Sequence, residues 1–272
     1  MSVTSPRHSL PHAQHRGPAV SLRIMTAVAG RVLQQLRRDH RTAAMLLVLP
    51  CVILALLWWM FGDVPAGAMG FDRLGPALLA LIPFIVMFLV TSVTTLRERA
   101  SGTLERLLAM PTGKLDFLGG YALAFGLVAA VQSTLAVALS VGLLGLDVAG
   151  AVWVLVVVAV CDAVLGSALG LFVSAFAQTE FQAVQFMPAV VIPQILLCGL
   201  FVPREAMPTV LEAISDVLPL SYAVDAMSSL ASTSGTAVGG VEAEVWGDIA
   251  IVVGFALAAL ALGAATLRRR TP

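Results

Sequence analysis

Charge is scarce in this chain. Lys+Arg and Asp+Glu number sixteen each, together 12% of 272 residues, about half the ~25% of a soluble domain. Hydrophobic residues make up 59%, so most of the chain is expected to face lipid or other membrane helices. Lysine is almost missing: Lys114 stands alone beside fifteen arginines, a bias of high-GC bacterial genomes. The three cysteines, Cys51, Cys161 and Cys198, fall inside apolar runs with no C-x-x-C spacing. An odd number argues against a disulfide framework, so they read as small packing residues. His8, His12 and His15 lie in a Pro- and Ser-rich stretch. Residues 1–20 read as a disordered tail with no pre-organised metal site and no metal expected. The first forty residues hold no apolar core, so no cleavable signal peptide is expected and the first span directs insertion. No G-x-x-x-x-G-K-[ST] loop exists, because Gly113-Lys114 is followed by Leu115 and lacks the upstream glycine. Without a loop to cradle phosphates, the chain is not expected to hydrolyse ATP, to be an enzyme by itself or to hold a cofactor. No nucleic-acid partner is expected.

What is abundant is long apolar runs. Six stretches are expected to cross a bilayer: Thr42–Phe61, Leu74–Leu96, Phe117–Leu146, Ala151–Ala177, Phe181–Phe201 and Asp248–Leu267. Each has roughly 20 residues or more, enough at ~1.5 Å per residue for a hydrocarbon core of ~30 Å. With both ends placed in the cytoplasm, fourteen of the sixteen basic residues lie inside. Only Arg73 and Arg204 remain outside. Lys/Arg bias sets orientation, so the expectation is a multi-pass protein of the bacterial cytoplasmic membrane with both termini cytoplasmic. Residues 21–41 precede the first span. There Leu22, Met25, Ala29, Val32 and Leu36 recur at helical steps, with Arg23, Arg31, Arg37 and Arg38 on the remaining surface. That pattern predicts an amphipathic helix lying among lipid headgroups. The domain reading is therefore a tail (1–20), an interfacial helix (21–41), a six-span domain (42–267) and a short cytoplasmic tail (268–272).

The spans carry few strong polar groups, Gln132, Gln185 and Gln194, and one deeply placed charge, Asp162. Asp162, Gly166, Gly170 and Ser174 are four apart, forming one small polar stripe. Gly166 and Gly170 allow close helix approach. An intramembrane carboxylate often marks function, and two readings stay open. Asp162 could couple a proton-driven secondary carrier, or it could be a structural group at a helix contact. With no second deeply placed acid, no buried Lys or Arg and no His in the spans, the structural reading is favoured. The fifth span holds Pro188 and Pro193, which predict a kink packed against protein. Beyond it, Met207 to Leu220 is too short to cross and is predicted to be a re-entrant or interfacial helix on the outer side.

The run from Arg97 to Thr112 is cytoplasmic by its charge. Thr103 can cap a helix, Glu105 suits its first turn, and Leu104, Leu107 and Leu108 form one apolar face that Pro111 ends. A two-turn helix persists only if something packs on it, which suits a groove on a partner. This stretch resembles the cytoplasmic coupling segment of ABC-transporter permeases of the type-2 class, with Glu98, Gly102, Thr103, Glu105 and Pro111 at the matching positions. A second block, Cys198 to Pro203, then Met207-Pro208, then Leu218 to Tyr222, is similar to that family's outer segment after the fifth span. The lysine often found near Gly119-Gly120-Tyr121 is absent here.

Membership would imply a fold of six transmembrane helices, an all-α integral membrane protein with a short coupling helix. Two permease chains, identical or paralogous, would pair in lipid and bind two copies of a cytoplasmic ABC ATPase, which holds the ATP and Mg. Glu98, Arg99, Gly102, Thr103, Glu105, Arg106 and Pro111 would form the coupling contact. Pro203, Pro208, Pro219 and Tyr222 would belong to the outer re-entrant segment. The apolar lining suits a lipophilic drug, antibiotic or lipid-like metabolite moved outward. Export of a cell-envelope glycan or lipid-linked polymer is the alternative within the family.

Overall fold

A computed structural model describes residues 21–62, 70–100, 114–232 and 238–266, without the side chains of 99, 100, 114, 115, 232 and 238–242. Among the described residues the protein is all helix and turn, with no strand. The α-helices are α1 (Leu22–Arg38), α2 (His40–Phe61), α3 (Phe71–Ala100), α4 (Lys114–Gly142), α5 (Val152–Ser174), α6 (Glu180–Leu197), α7 (Thr209–Ser215), α8 (Pro219–Ser232) and α9 (Val238–Thr266). A 3₁₀ turn, Arg204–Ala206, precedes α7. Six of them, α2 to α6 and α9, are long and apolar enough to cross a membrane, as the sequence pattern predicts.

The helices differ from the apolar runs at their ends. The third run was expected to reach Leu146, but α4 stops at Gly142. Gly145 then adopts φ +69°, a left-handed turn that redirects the chain into α5. The fifth run was expected to reach Phe201, but α6 stops at Leu197 and Gly199 turns at φ +92°. Both prolines of that run lie inside α6. The predicted single helix over 21–41 divides at Asp39. Its carboxylate accepts hydrogen bonds from the Thr42 N–H (3.2 Å) and Oγ1–H (2.6 Å) and so starts α2. The predicted 207–220 helix is in fact two, α7 and α8, and α9 begins ten residues before the expected Asp248.

The centre of the bundle is α3 against α5, the most extensive helix contact in the molecule. Of their spans, 67% is buried, against 17% for α2 and α6. The small stripe of α5 explains this. A Cβ on Gly166 would stand 2.5 Å from the Phe84 carbonyl oxygen, and one on Gly170 would stand 2.5 Å from that of Phe88. Only glycine lets the two backbones meet there. Phe84 and Phe88 are then fully enclosed. Around this spine α4 and α9 pack on α5, and α8 packs on α3 and α9. The outer surfaces of α2 and α6 stay exposed and apolar, including Met45, Trp59, Phe181 and Leu196.

The two ends of the bundle differ in chemistry. Trp58 and Trp59 close α2, Trp153 opens α5, and Trp246 lies near the start of α9. Trp153 and Trp246 have ring centroids 6.1 Å apart. All four tryptophans are exposed at this end, as an interfacial aromatic belt requires. Arg31, Arg37, Arg38, Arg41 and Arg97 sit at the opposite end, with α1 packed across α4.

Gly170→Leu should lower stability by about 1–3 kcal/mol through forced overpacking, read as the midpoint of thermal unfolding in detergent. Gly254, with nothing within 4 Å of its Cβ position, should tolerate alanine and gain a few tenths of a kcal/mol or more. Equal effects at the two sites would remove the spine from the account. Hydrogen bonds from Thr42 hold the Asp39 carboxyl below its usual range. Its capping support is therefore complete above the ordinary carboxylate pKa and lost as pH falls through the depressed folded value. Asp39→Asn should flatten the acid limb of a stability–pH curve.

Candidate functional site

The arginine-rich end gathers residues from four helices around the last turn of α3. Glu98, 5% exposed, pairs with Arg31 of α1 at 3.4 Å and is also hydrogen-bonded to Gln35. Next to it, Arg97 grips Glu180 at the start of α6 through two parallel bonds, Nε to Oε1 at 2.8 Å and Nη2 to Oε2 at 2.9 Å. Such a fork fixes direction as well as distance. On the other side of residues 101–113, the Ser21 N–H donates to Asp116 Oδ1 at 2.7 Å. Gly119 and Gly120 meet α1 directly, since a Cβ would stand 2.4 Å from Met25 Cε and 2.6 Å from Val28 Cβ. At Gly120 the Met25 carbonyl, 2.9 Å from a Cβ, leaves no room for a side chain, whereas at Gly119 the flexible end of Met25 would have to move. Phe117, Tyr121 and Phe125 stack down α4 beneath this crossing.

The two stems that flank residues 101–113 are thus both fastened to α1. Gly102, Thr103, Glu105, Arg106 and Pro111 lie outside the described residues, as does the Arg99 side chain. Of the predicted coupling set, only Glu98 is placed. It turns inward to hold α1 instead of facing outward to a partner. Arg31, Arg97, Asp116 and Glu180 were not predicted. Their partners are 67 to 95 residues apart, and no local pattern signals such pairs. The Gly119-Gly120 pair could have signalled the α1 crossing.

The intramembrane residues separate into two groups. Gly166 and Gly170 face α3, and Asp162, one turn before Gly166 on α5, is fully buried. Neither carboxylate oxygen has a hydrogen-bond partner among the described residues. Gln132 is likewise enclosed without one, while its neighbour Ser133 donates to the Ala159 carbonyl at 3.1 Å. Gln194 donates to the Val190 carbonyl of its own helix at 3.1 Å. Gln185 lies within α6 and is exposed on its surface. The six intramembrane residues therefore do not form one polar chamber within a single chain. A proton relay from Asp162 has no next member beside it among the described residues.

At the tryptophan end lie Pro203, Pro208, Pro219 and Tyr222, the residues assigned to the outer segment. Each proline precedes or opens a helical turn. The unpredicted centre is Arg204, whose guanidinium donates to Asp216 and Asp225 and sits 5.0 Å from the Tyr222 ring centroid. Tyr222 Oη donates to the Asp216 carbonyl at 2.7 Å, and Ser215 Oγ to the Leu197 carbonyl at 2.7 Å. Burial lifts the Asp225 carboxyl above its usual range although Arg204 pulls it down. Burial also opposes the Arg204 charge, but its bonds to the two carboxylates outweigh that and hold it up. The knot fastens the 3₁₀ turn, α7 and α8 onto the end of α6. It is a rigid cap, not a reactive centre.

Comparison with known proteins agrees with this geometry. The model of the ABC-2 type transporter family matches residues 24–231. A probable multidrug ABC transporter permease of Escherichia coli, YbhR, is 30% identical over 150 residues, covering 55% of this chain and 41% of that protein. YbhS, another probable multidrug ABC transporter permease of Escherichia coli, is 25% identical over 156 residues, covering 57% and 41%. ABC transporter G family member 20 of Dictyostelium discoideum is 26% identical over 159 residues, covering 58% of this chain and 22% of its own length. The chain thus matches less than half the length of these curated relatives.

Arg204→Ala should destabilise the fold by about 1–3 kcal/mol, between the values for exposed and fully buried pairs. The same loss should follow from Asp225→Ala, with less than additive effects in the double variant because the two share one interaction. Thermal unfolding of the three variants checks it, and additive losses would show that the two side chains act separately.

Proposed function

The chain belongs to the ABC-2 type transporter family, and we propose that it is the membrane subunit of an ATP-driven exporter. A separate ATP-binding-cassette ATPase, in two copies, holds ATP and Mg and powers two permease chains, identical or paralogous. The reading places both termini in the cytoplasm and the chain in a bacterial inner membrane. The gathering of arginine at one end of the bundle supports that orientation. The cargo is a lipophilic or amphipathic molecule, a drug, an antibiotic or a lipid-like metabolite. The apolar spans and the multidrug permeases among the relatives support that choice.

The observation that carries the mechanism is the fastening of both stems around residues 101–113. Arg31–Glu98 and Ser21–Asp116 tie the stems to α1, and Arg97–Glu180 ties one of them to α6. A load applied to the loop by an ATPase then moves α1, α3, α4 and α6 together instead of bending the loop alone. Gly102, Thr103, Glu105, Arg106 and Pro111 would form the contact with the ATPase, and Arg99 its edge. Glu98 would act as a positioning residue behind it. Because α3 is pressed on α5 at backbone distance, the displacement reaches the spine without loss in soft side chains. The exposed apolar face of α6 is where a second permease chain would pair. The transport path would then lie between the two copies.

Inside-out vesicles containing the chain and its ATPase should accumulate a lipophilic dye in an ATP-dependent manner. Glu105→Lys with Arg106→Glu should abolish uptake while the chain's level in the membrane stays unchanged. Asp162→Asn should retain most of the uptake. Undiminished transport by the charge-reversed variant, or labelling that finds residues 101–113 on the exterior, would overturn the coupling role. Loss of uptake in Asp162→Asn, with the remainder driven by a proton gradient, would favour a carrier.

A further inference from the structure

A groove of about 470 Å³ runs along the bundle between α2 and α3, and α1 closes one end. Its walls are Met45, Leu49 and Ile53 of α2 and Ile85, Leu89 and Val93 of α3, with Val32 and Phe125 behind them. All its polar lining is at the arginine-rich end: Gln35, Asp39, Thr42, Arg97 and Glu98, with Thr94 just below. From Ile85 to Arg97 the α3 wall is about 18 Å long at ~1.5 Å per residue. One leaflet of hydrocarbon is about 15 Å deep, half of a ~30 Å core. The apolar part, Ile85 to Val93, takes up about 12 Å of that depth, and the polar mouth lies at headgroup level. Its lip is open to the bilayer, because Met45 and Leu49 are exposed.

The mouth carries both signs. Arg97 is exposed and held by Glu180, while Glu98 is buried against Arg31 and Gln35. Asp39 is exposed, and the Arg97 charge reaches it. A ligand with net negative charge would meet Asp39, Glu98 and Glu180. One with net positive charge would meet Arg31 and Arg97. A zwitterion satisfies both, with a phosphate toward Arg97 and an ammonium toward Asp39.

We propose that this groove is a binding site for a zwitterionic phospholipid of the adjoining leaflet, which lays one acyl chain between α2 and α3 and sets its headgroup at Arg97 and Asp39. The site is separate from any cargo path between paired chains. It is independent of what the transporter carries. Each methylene withdrawn into the groove adds favourable apolar burial, and α1 ends the chain slot where polar chemistry begins. A lipid seated there would wedge α2 against α3 next to the Arg97–Glu180 fork.

Native mass spectrometry of the full chain, released from detergent after addition of phosphatidylethanolamine or phosphatidylglycerol, tests this. The expected result is one phosphatidylethanolamine retained per chain at collision energies that strip phosphatidylglycerol. Val93→Trp, which fills the groove, should lose that retained lipid. Val52→Trp, on the exposed face of α2 outside the groove, should keep it. Circular dichroism and a single gel-filtration peak confirm folding of each variant. Should Val93→Trp not fold, Met45→Trp at the lip of the same groove takes its place. Retention of the lipid by the filled variant, equal retention of phosphatidylglycerol, or no lipid retained by the parent chain would each overturn the proposal.

Discussion

The backbone contact between α3 and α5 is the constraint on which the rest of this structure depends. In a bilayer, lipid tails are as apolar as the side chains, so burying apolar area gives helices little reason to associate. Close packing and the geometry of small residues decide instead. Gly166 and Gly170 let α5 settle on the carbonyls of Phe84 and Phe88, and the phenyl rings are then enclosed by the surrounding helices. With that pair fixed, α4 and α9 have one groove each against α5, and α8 fills the angle between α3 and α9. The peripheral α2 and α6 receive little of this packing and keep their apolar outer faces free.

Polar chemistry is then confined to the two ends, with a different character at each. At the tryptophan end, Arg204 joins two carboxylates and an aromatic ring across three short helical elements. That end is a clamp with few degrees of freedom. At the arginine-rich end, ion pairs join separate long helices: α1 with α3 and α3 with α6. These links tie the ends of separate helices together, which is the arrangement a lever requires. The asymmetry fits a membrane domain driven from the arginine-rich side.

Much of this was legible in the sequence. The six spans appear as apolar runs because a bilayer imposes a length on each helix that no tertiary contact can waive. The stripe of Asp162, Gly166, Gly170 and Ser174 was visible at four-residue spacing, and the structure turns its two glycines into a helix contact. The cap residues were only partly read. Asp39 divides the N-terminal helix and Gly145 and Gly199 end two others, all by local signals the apolar pattern overrode. Helix α8 went unrecognised although Leu220, Ala223, Met227 and Leu230 have helical spacing and are all buried. At 14 residues it is too short for a span, so no apolar run marks it.

Composition and periodicity by themselves determined that the chain is an all-helical membrane protein with six crossings and opposite chemistry at its ends. Those properties follow from the solvent, which acts on every residue independently of its neighbours. Only the tertiary structure decided that Glu98 points inward to Arg31, that Arg97 is forked to Glu180, that Gln185 lies outside and that Arg204 centres the opposite cap. Each of these joins side chains distant in sequence, whose meeting depends on the crossing and rotation of whole helices. A rotation of one residue, about 100° on a helix, would send any of them elsewhere. That rotation is set by where glycine allows one backbone to approach another.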